Sequence, residues 1–234
     1  MNKRDFLKDA ILFFPAAATL QALAPAAEGK VEPSTTAPGY DATRHWYGMG
    51  IDVDKCIGCN RCVEACKAEN NVPDEPFFFR TWIERYQIHE NGETKVECIS
   101  TRAGLPEQAP PEDPTVVRTF FVPKLCNQCA HPPCVQVCPV GATFQTQDGV
   151  VLVDEKRCIG CRYCMMACPY GARYLNPRTK TADKCTFCYH RVTEGLLPAC
   201  VEVCPTQARI FGDLKGQADR LVRFHRVNQI SVLK

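Results

Sequence analysis

Twelve residues carry the clearest chemistry in the chain: Cys158-Ile159-Gly160-Cys161-Arg162-Tyr163-Cys164-Met165-Met166-Ala167-Cys168-Pro169. Cysteines at this spacing, closed by proline, supply thiolates in the pattern that wraps an iron–sulfur cluster. Cys158, Cys161 and Cys164 are close enough in sequence for their sulfurs to converge, and the short loops between them leave backbone N–H groups free for inorganic sulfide. Gly160 eases that wrap because glycine takes positive φ freely. If a helix starts here, Cys168 lies one turn past Cys164 on the same face, roughly 6 Å along the axis, and is aimed at a different cluster. Pro169 removes a backbone donor and ends the turn.

Three further groups follow the same logic. Cys56, Cys59, Cys62 and Cys66 repeat the spacing, with Lys67 in the proline position. Cys126, Cys129, Cys134 and Cys138 form a group widened by two residues, and Pro132 and Pro133 inside it predict a loop and not a helix. Cys185, Cys188, Cys200 and Cys204 form the last group, which has a long insertion between its second and third cysteines. The four groups use sixteen of the seventeen cysteines. Residues Ile51 to Cys59 also resemble Val153 to Cys161, so the unit repeats. The expected fold class is α+β: duplicated bacterial two-cluster (4Fe-4S) ferredoxin-like modules with β-hairpin insertions and long cluster-wrapping loops. Cys98 stands outside the pattern in a β-prone run and reads as a buried small hydrophobe.

Other chemistries fit less well. Structural zinc also takes four thiolates, but its sites pair CxxC knuckles across longer spacers, whereas three of these groups end in CxxxC-Pro or its long-insertion form. A disulfide scaffold conflicts with an odd cysteine count in 234 residues. A formal charge of +2 without a basic run gives nucleic acid no electrostatic footing. No apolar stretch reaches the about 18 residues of a membrane span. Nothing resembles a Ser-His-Asp set, a phosphate loop or a paired-carboxylate site, so the chain reads as an electron carrier and not an enzyme. His131 and His190 read as surface or hydrogen-bonding residues. Arg61, Lys67, Arg162 and Lys184 sit near cluster loops, where positive charge raises reduction potential. Phe77, Phe78 and Phe79 read as hairpin core, with a partner-docking patch as the alternative.

The elements that position these groups are short. Met49 to Asp54 alternates as a strand. Phe77 to Ile88 and Glu93 to Ser100 are β-prone and joined through Asn91-Gly92, a strong hairpin signal. Four prolines mark Ala103 to Thr115 as an irregular loop, after which Val116 to Pro123 is extended. Ala142 to Gln147 and Val150 to Val153 form a hairpin turned at Asp148-Gly149. From Gly212 the chain has weak helical periodicity through Leu221, Val222 and His225 and no ligands. Residues 1–27 have export-leader architecture similar to a twin-arginine signal, with Lys3 in place of the first arginine, and Ala24-Pro25-Ala26 is the favoured cleavage motif. Residues 28–45 form a tether and 46–123 hold the first cysteine group with a β-hairpin insertion. Residues 124–180 form an inner two-cluster module, 181–211 the fourth group pairing with the first, and 212–234 a tail for partner contact.

From about Tyr47 to Asp213 the chain resembles the four-cluster iron–sulfur subunit of dimethyl sulfoxide reductase-family complexes. The likeness rests on Cys126-Asn127-Gln128-Cys129-Ala130-His131-Pro132-Pro133-Cys134, Cys168-Pro169-Tyr170-Gly171-Ala172-Arg173 and Asp183-Lys184-Cys185-Thr186-Phe187-Cys188. With Leu196-Leu197-Pro198-Ala199-Cys200-Val201-Glu202 it is nearest the tetrathionate and polysulfide reductase subunits and those of formate-dependent nitrite reduction. The resemblance implies four 4Fe-4S clusters with crossed ligands. Cluster 1 takes Cys56, Cys59, Cys62 and Cys204; cluster 2 takes Cys126, Cys129, Cys134 and Cys168. Cluster 3 takes Cys138, Cys158, Cys161 and Cys164; cluster 4 takes Cys66, Cys185, Cys188 and Cys200. It further implies a periplasm-facing relay between a quinone-reactive polytopic membrane subunit and a catalytic subunit, usually molybdenum-dependent. A freely diffusing multi-cluster ferredoxin is the alternative, and a zinc-stabilised interaction module the remote one.

Overall fold

The computed structural model describes residues 37–75, 77–101 and 113–232; the leader, the first half of the tether and most of the loop expected over 103–115 lie outside them. The Asn91-Gly92 signal resolves into a hairpin of β2 (Thr81–His89) and β3 (Thr94–Cys98), with Ile88 opposite Thr94. β4 (Val116–Leu125) pairs antiparallel along the other edge of β2. Ile83, Val122 and Leu125 of this sheet are buried. β2 begins at Thr81, not at Phe77 as the β-prone run suggested. The three phenylalanines divide instead: Phe77 is exposed, Phe78 lies 5.4 Å ring to ring from Tyr174, and Phe79 packs beside Cys62 and Ile83. Cys98 ends the edge strand β3 and is half-buried, not buried; among the described residues no further strand pairs along that edge.

β1 (Tyr47–Ile51) pairs antiparallel with β9 (Arg209–Asp213), so the strand before the first cysteine group is clasped to the strand after the last. β5 (Thr143–Gln145) pairs with β6 (Val151–Val153), and β7 (Arg173–Leu175) pairs with β8 (Ala182–Lys184). Gly149 turns the first of these hairpins at φ +84° with the Trp46 indole 3.0 Å from where a Cβ would sit.

Proline bounds three of the short helices, those at Pro133–Gln136, Tyr163–Met166 and Ala199–Glu202. α1 (Arg61–Glu69) has Lys67 in the proline position and runs nine residues. α2 (Pro133–Gln136), α3 (Tyr163–Met166), α4 (Tyr189–Val192) and α5 (Ala199–Glu202) are single turns. α2 corrects the expectation of a plain loop in the widened group. Pro132 serves as its N-cap and Pro133 opens the helix, where a missing N–H costs nothing. α6 (Arg220–Val227) starts at Asp219, whose carboxylate accepts from the Leu221 N–H at 2.6 Å, and packs on β1 and β9. No helix among the described residues is long and apolar enough to cross a membrane.

Among the described residues the core falls into three small groups, and each contains cysteine. Leu125, Val150, Phe187 and Tyr189 surround Cys185. Val63 and Ile83 join Cys62 and Cys200, and Val151 and Ala182 join Cys134 and Cys164.

Candidate functional site

Each cysteine group opens on the same backbone device. The residue two after the first cysteine has positive φ in all four: Gly58 (71°), Gln128 (43°), Gly160 (68°) and Phe187 (56°). Such a reversal turns successive N–H groups inward and makes an anion-binding concavity. The Phe187 N–H indeed donates to the Cys185 sulfur at 3.4 Å. Only two of the four positions carry glycine; Gln128 and Phe187 hold a conformation uncommon for such side chains.

A second device follows Cys138, Cys168 and Cys204. Each continues Pro-x-x-Ala through a tight turn whose third residue, Gly141, Gly171 or Gln207, has positive φ. Burial raises the Cys138 thiol, but the N–H groups of Thr143, Val140 and Ala142 outweigh it and hold the group below its ordinary value. Cys204 is lowered likewise, burial being overcome by the Arg209 N–H, the Thr206 hydroxyl and the Ala208 and Thr206 N–H groups. Deeper thiols go the other way: burial, then Cys200 and Cys126, pushes Cys185 up to about 12, and burial pushes Cys200 up to about 11. Positive charge beside them opposes that rise: Lys184 acts on Cys185 and Arg209 on Cys200.

Non-local packing decides which sulfurs meet. Cys56, Cys59, Cys62 and Cys204 line one cavity. Cys66, Cys185, Cys188 and Cys200 line a second, and Cys126, Cys129, Cys134 and Cys168 a third. α1 therefore presents Cys62 and Cys66, one turn apart, to two different cavities. Of the four grouped cysteines left, Cys164 lies on α3 with Cys158 in the same core group, and Cys138 follows α2, which packs on α3. The Ala182 N–H donates to the Cys158 sulfur at 3.4 Å and the Thr143 N–H to the Cys138 sulfur at 3.5 Å. Cys161 is exposed. Thiols spread around a space and met by N–H donors fit the corners of a cluster with its sulfides.

The charged residues sort differently from expectation. Arg61 and Arg162 are exposed, and Lys67 donates to the Pro73 carbonyl at 3.0 Å. Of the four cations singled out, only Lys184 is buried. His131 is exposed, and His190 lies 2.6 Å from Glu69. Two buried arginines went unmarked. Arg173 donates to the Cys134 sulfur at 3.0 Å, and Arg209 to the Cys62 sulfur at 3.4 Å. The signal for them is present: Cys168-Pro169-Tyr170-Gly171-Ala172-Arg173 and Cys204-Pro205-Thr206-Gln207-Ala208-Arg209 place arginine at the same step after cysteine.

Models of a 4Fe-4S dicluster domain match residues 55–142 and 117–214. A tetrathionate reductase subunit of Salmonella typhimurium is 43% identical over 236 residues, covering 100% of this chain and 83% of the relative. A polysulfide reductase chain of Wolinella succinogenes is 38% identical over 75% of this chain and 80% of its own. The thiosulfate reductase electron transfer subunit PhsB of Salmonella typhi is 44% identical over 72% and 76%. With two dicluster domains, sixteen grouped cysteines and these relatives, the protein belongs to the family of four-cluster iron–sulfur subunits of reductase complexes that includes the tetrathionate reductase relative.

Proposed function

We propose that the chain relays electrons through four 4Fe-4S clusters held by crossed cysteine sets. Its ends serve a quinone-reactive membrane subunit and a catalytic, molybdenum-dependent subunit on the periplasmic side of the membrane. The observation that carries the relay is the exchange of fourth cysteines. Cys204 lines the cavity of Cys56, Cys59 and Cys62, while Cys66 lines that of Cys185, Cys188 and Cys200. Such an exchange ties neighbouring clusters through one short helix and keeps their separation small. When bound, the clusters supply reversible one-electron storage. The chain's residues provide thiolates, N–H donors to sulfur and exclusion of water.

The relatives' names, among them an electron transfer subunit, support a role inside a complex over that of a free carrier. Purified protein should hold about sixteen irons. In Cys168→Ser, cluster-resolved spectroscopy should show the cluster of Cys126, Cys129 and Cys134 perturbed most. Change confined to the cluster of Cys158, Cys161 and Cys164 would show that each group closes on itself. Native purification tests the setting: persistent co-migration with a membrane subunit is expected, and a clean monomer contradicts it.

A further inference from the structure

The three cysteine-bearing core groups are also the three places where one cavity's cysteines meet the next. Cys62 and Cys200 share one, linking clusters 1 and 4. Cys185 shares another with Cys126, linking 4 and 2, and Cys134 with Cys164 links 2 and 3. On the crossed-set reading proposed above, the clusters therefore stand in the row 1, 4, 2, 3.

Each junction holds one buried cation. Arg209 spans the first: its guanidinium donates to Cys62 at 3.4 Å and to Cys200 at 3.8 Å, and is anchored on the Thr81 hydroxyl at 2.6 Å. Lys184 occupies the second, donating to the Val151 carbonyl and, at 2.7 Å, to that of Cys185. Arg173 stands at the third: one nitrogen donates to Cys134 at 3.0 Å and the other to the Thr143 hydroxyl at 3.3 Å, and it reaches the cluster 3 side through Thr143, whose N–H meets Cys138. All three are buried, Lys184 and Arg209 to 1% exposure. Among the described residues none of them has a carboxylate in ion-pair range; Asp183, which adjoins Lys184 in sequence, pairs with Arg80 at 2.9 Å. A cation buried without counter-charge is unfavourable, so these three are placed where the anion is the cluster itself.

We infer that Arg209, Lys184 and Arg173 are potential-setting residues, one per gap, each stabilising an added electron on the two clusters that flank it. A cation placed between two sites favours the electron on either one, and so keeps their potentials from diverging as one electron leaves a cluster and enters its neighbour. The cations on the exposed cluster loops, Arg61 and Arg162, are screened by water and contribute little by comparison.

The test is an EPR-monitored redox titration of the full, cluster-loaded chain carrying Arg209→Gln, Lys184→Gln or Arg173→Gln, with iron content measured alongside. Each substitution should lower the midpoints of its two flanking clusters. At the wild-type midpoint the oxidised-to-reduced ratio should rise about tenfold, or about 59 mV for one electron. Arg209→Gln should move clusters 1 and 4, Lys184→Gln clusters 4 and 2, and Arg173→Gln clusters 2 and 3. Four intact clusters with unmoved midpoints, or movement of all four alike, would overturn the inference while leaving the relay standing. Should a glutamine variant lose iron, Arg209→Lys, Arg173→Lys and Lys184→Arg decide the matter. They keep the charge and should keep midpoints near wild type; a drop as large as that expected of glutamine would assign the effect to packing.

Discussion

At the scale of single residues, Gly160 and Gly171 separate two costs that glycine relieves. Both have positive φ, +68° and +61°. A Cβ on Gly160 would lie 2.6 Å from the Lys180 carbonyl oxygen, whereas nothing lies within 4 Å of one on Gly171. Gly171→Ala should therefore cost about 1–2 kcal/mol of backbone strain, and Gly160→Ala more than that, because backbone oxygen must also move. Thermal unfolding of the loaded protein checks the order; equal losses would mean that the Lys180 contact yields freely. The need for glycine at 160 was legible from the spacing of the thiols. The same conformation at Gln128 and Phe187 was not, since neither side chain advertises it. Arg173 and Arg209 escaped for a related reason: in sequence an arginine after Ala172 or Ala208 looks solvated, and only the strand start at that residue turns it inward.

Among elements, every hairpin with an Asn-Gly or Asp-Gly turn was legible, because such pairing is local. The clasp of β1 on β9 was not, because nothing in either strand names a partner at the other end of the chain. Side chains reinforce that clasp. Asp213 accepts from the Trp46 N–H at 2.9 Å and meets His45 Nδ1 at 2.8 Å, while the Lys215 N–H reaches it at 3.0 Å. Burial raises its carboxyl, but the Trp46 and Lys215 N–H groups and His45 outweigh that and leave it below its ordinary value. A depressed carboxyl stabilises the folded state above its unfolded value near about 3.9 and loses that contribution as pH falls through the folded value. Asp213→Asn should cost on the order of 1–2 kcal/mol at neutral pH. In denaturant titrations its deficit against wild type should hold down to about pH 4 and shrink below. A deficit unchanged in acid would mean that shape, not charge, supports the clasp.

For the whole molecule, cysteine-lined spaces stand where hydrophobic core would otherwise lie. Among the described residues, four of the six α-helices are single turns, and isolated helices shorter than about 12 residues are marginal in water. Three of the four sheets there are two-stranded, and two of those have strands of three residues. Such pieces lack stability of their own. The buried side chains between them include seven cysteines and three cations, which in the absence of iron leave thiols and unpaired charge where packing is needed. The sheet of β2, β3 and β4 is different. It is built on strands of up to ten residues, buries Ile83, Val122 and Leu125, and carries its own ion pair between Lys124 and Glu84 at 2.7 Å. Stripping the clusters with acid and chelator, then returning to neutral pH with reductant, should therefore abolish near-ultraviolet circular dichroism and the cooperative thermal transition. A residual far-ultraviolet β signal from that one sheet should survive. Reconstitution with iron and sulfide should restore the transition, since metal binding here is folding free energy. An apo chain that still melts cooperatively would show that the apolar residues around the cysteines are a sufficient core, and that the clusters occupy cavities the fold maintains without them.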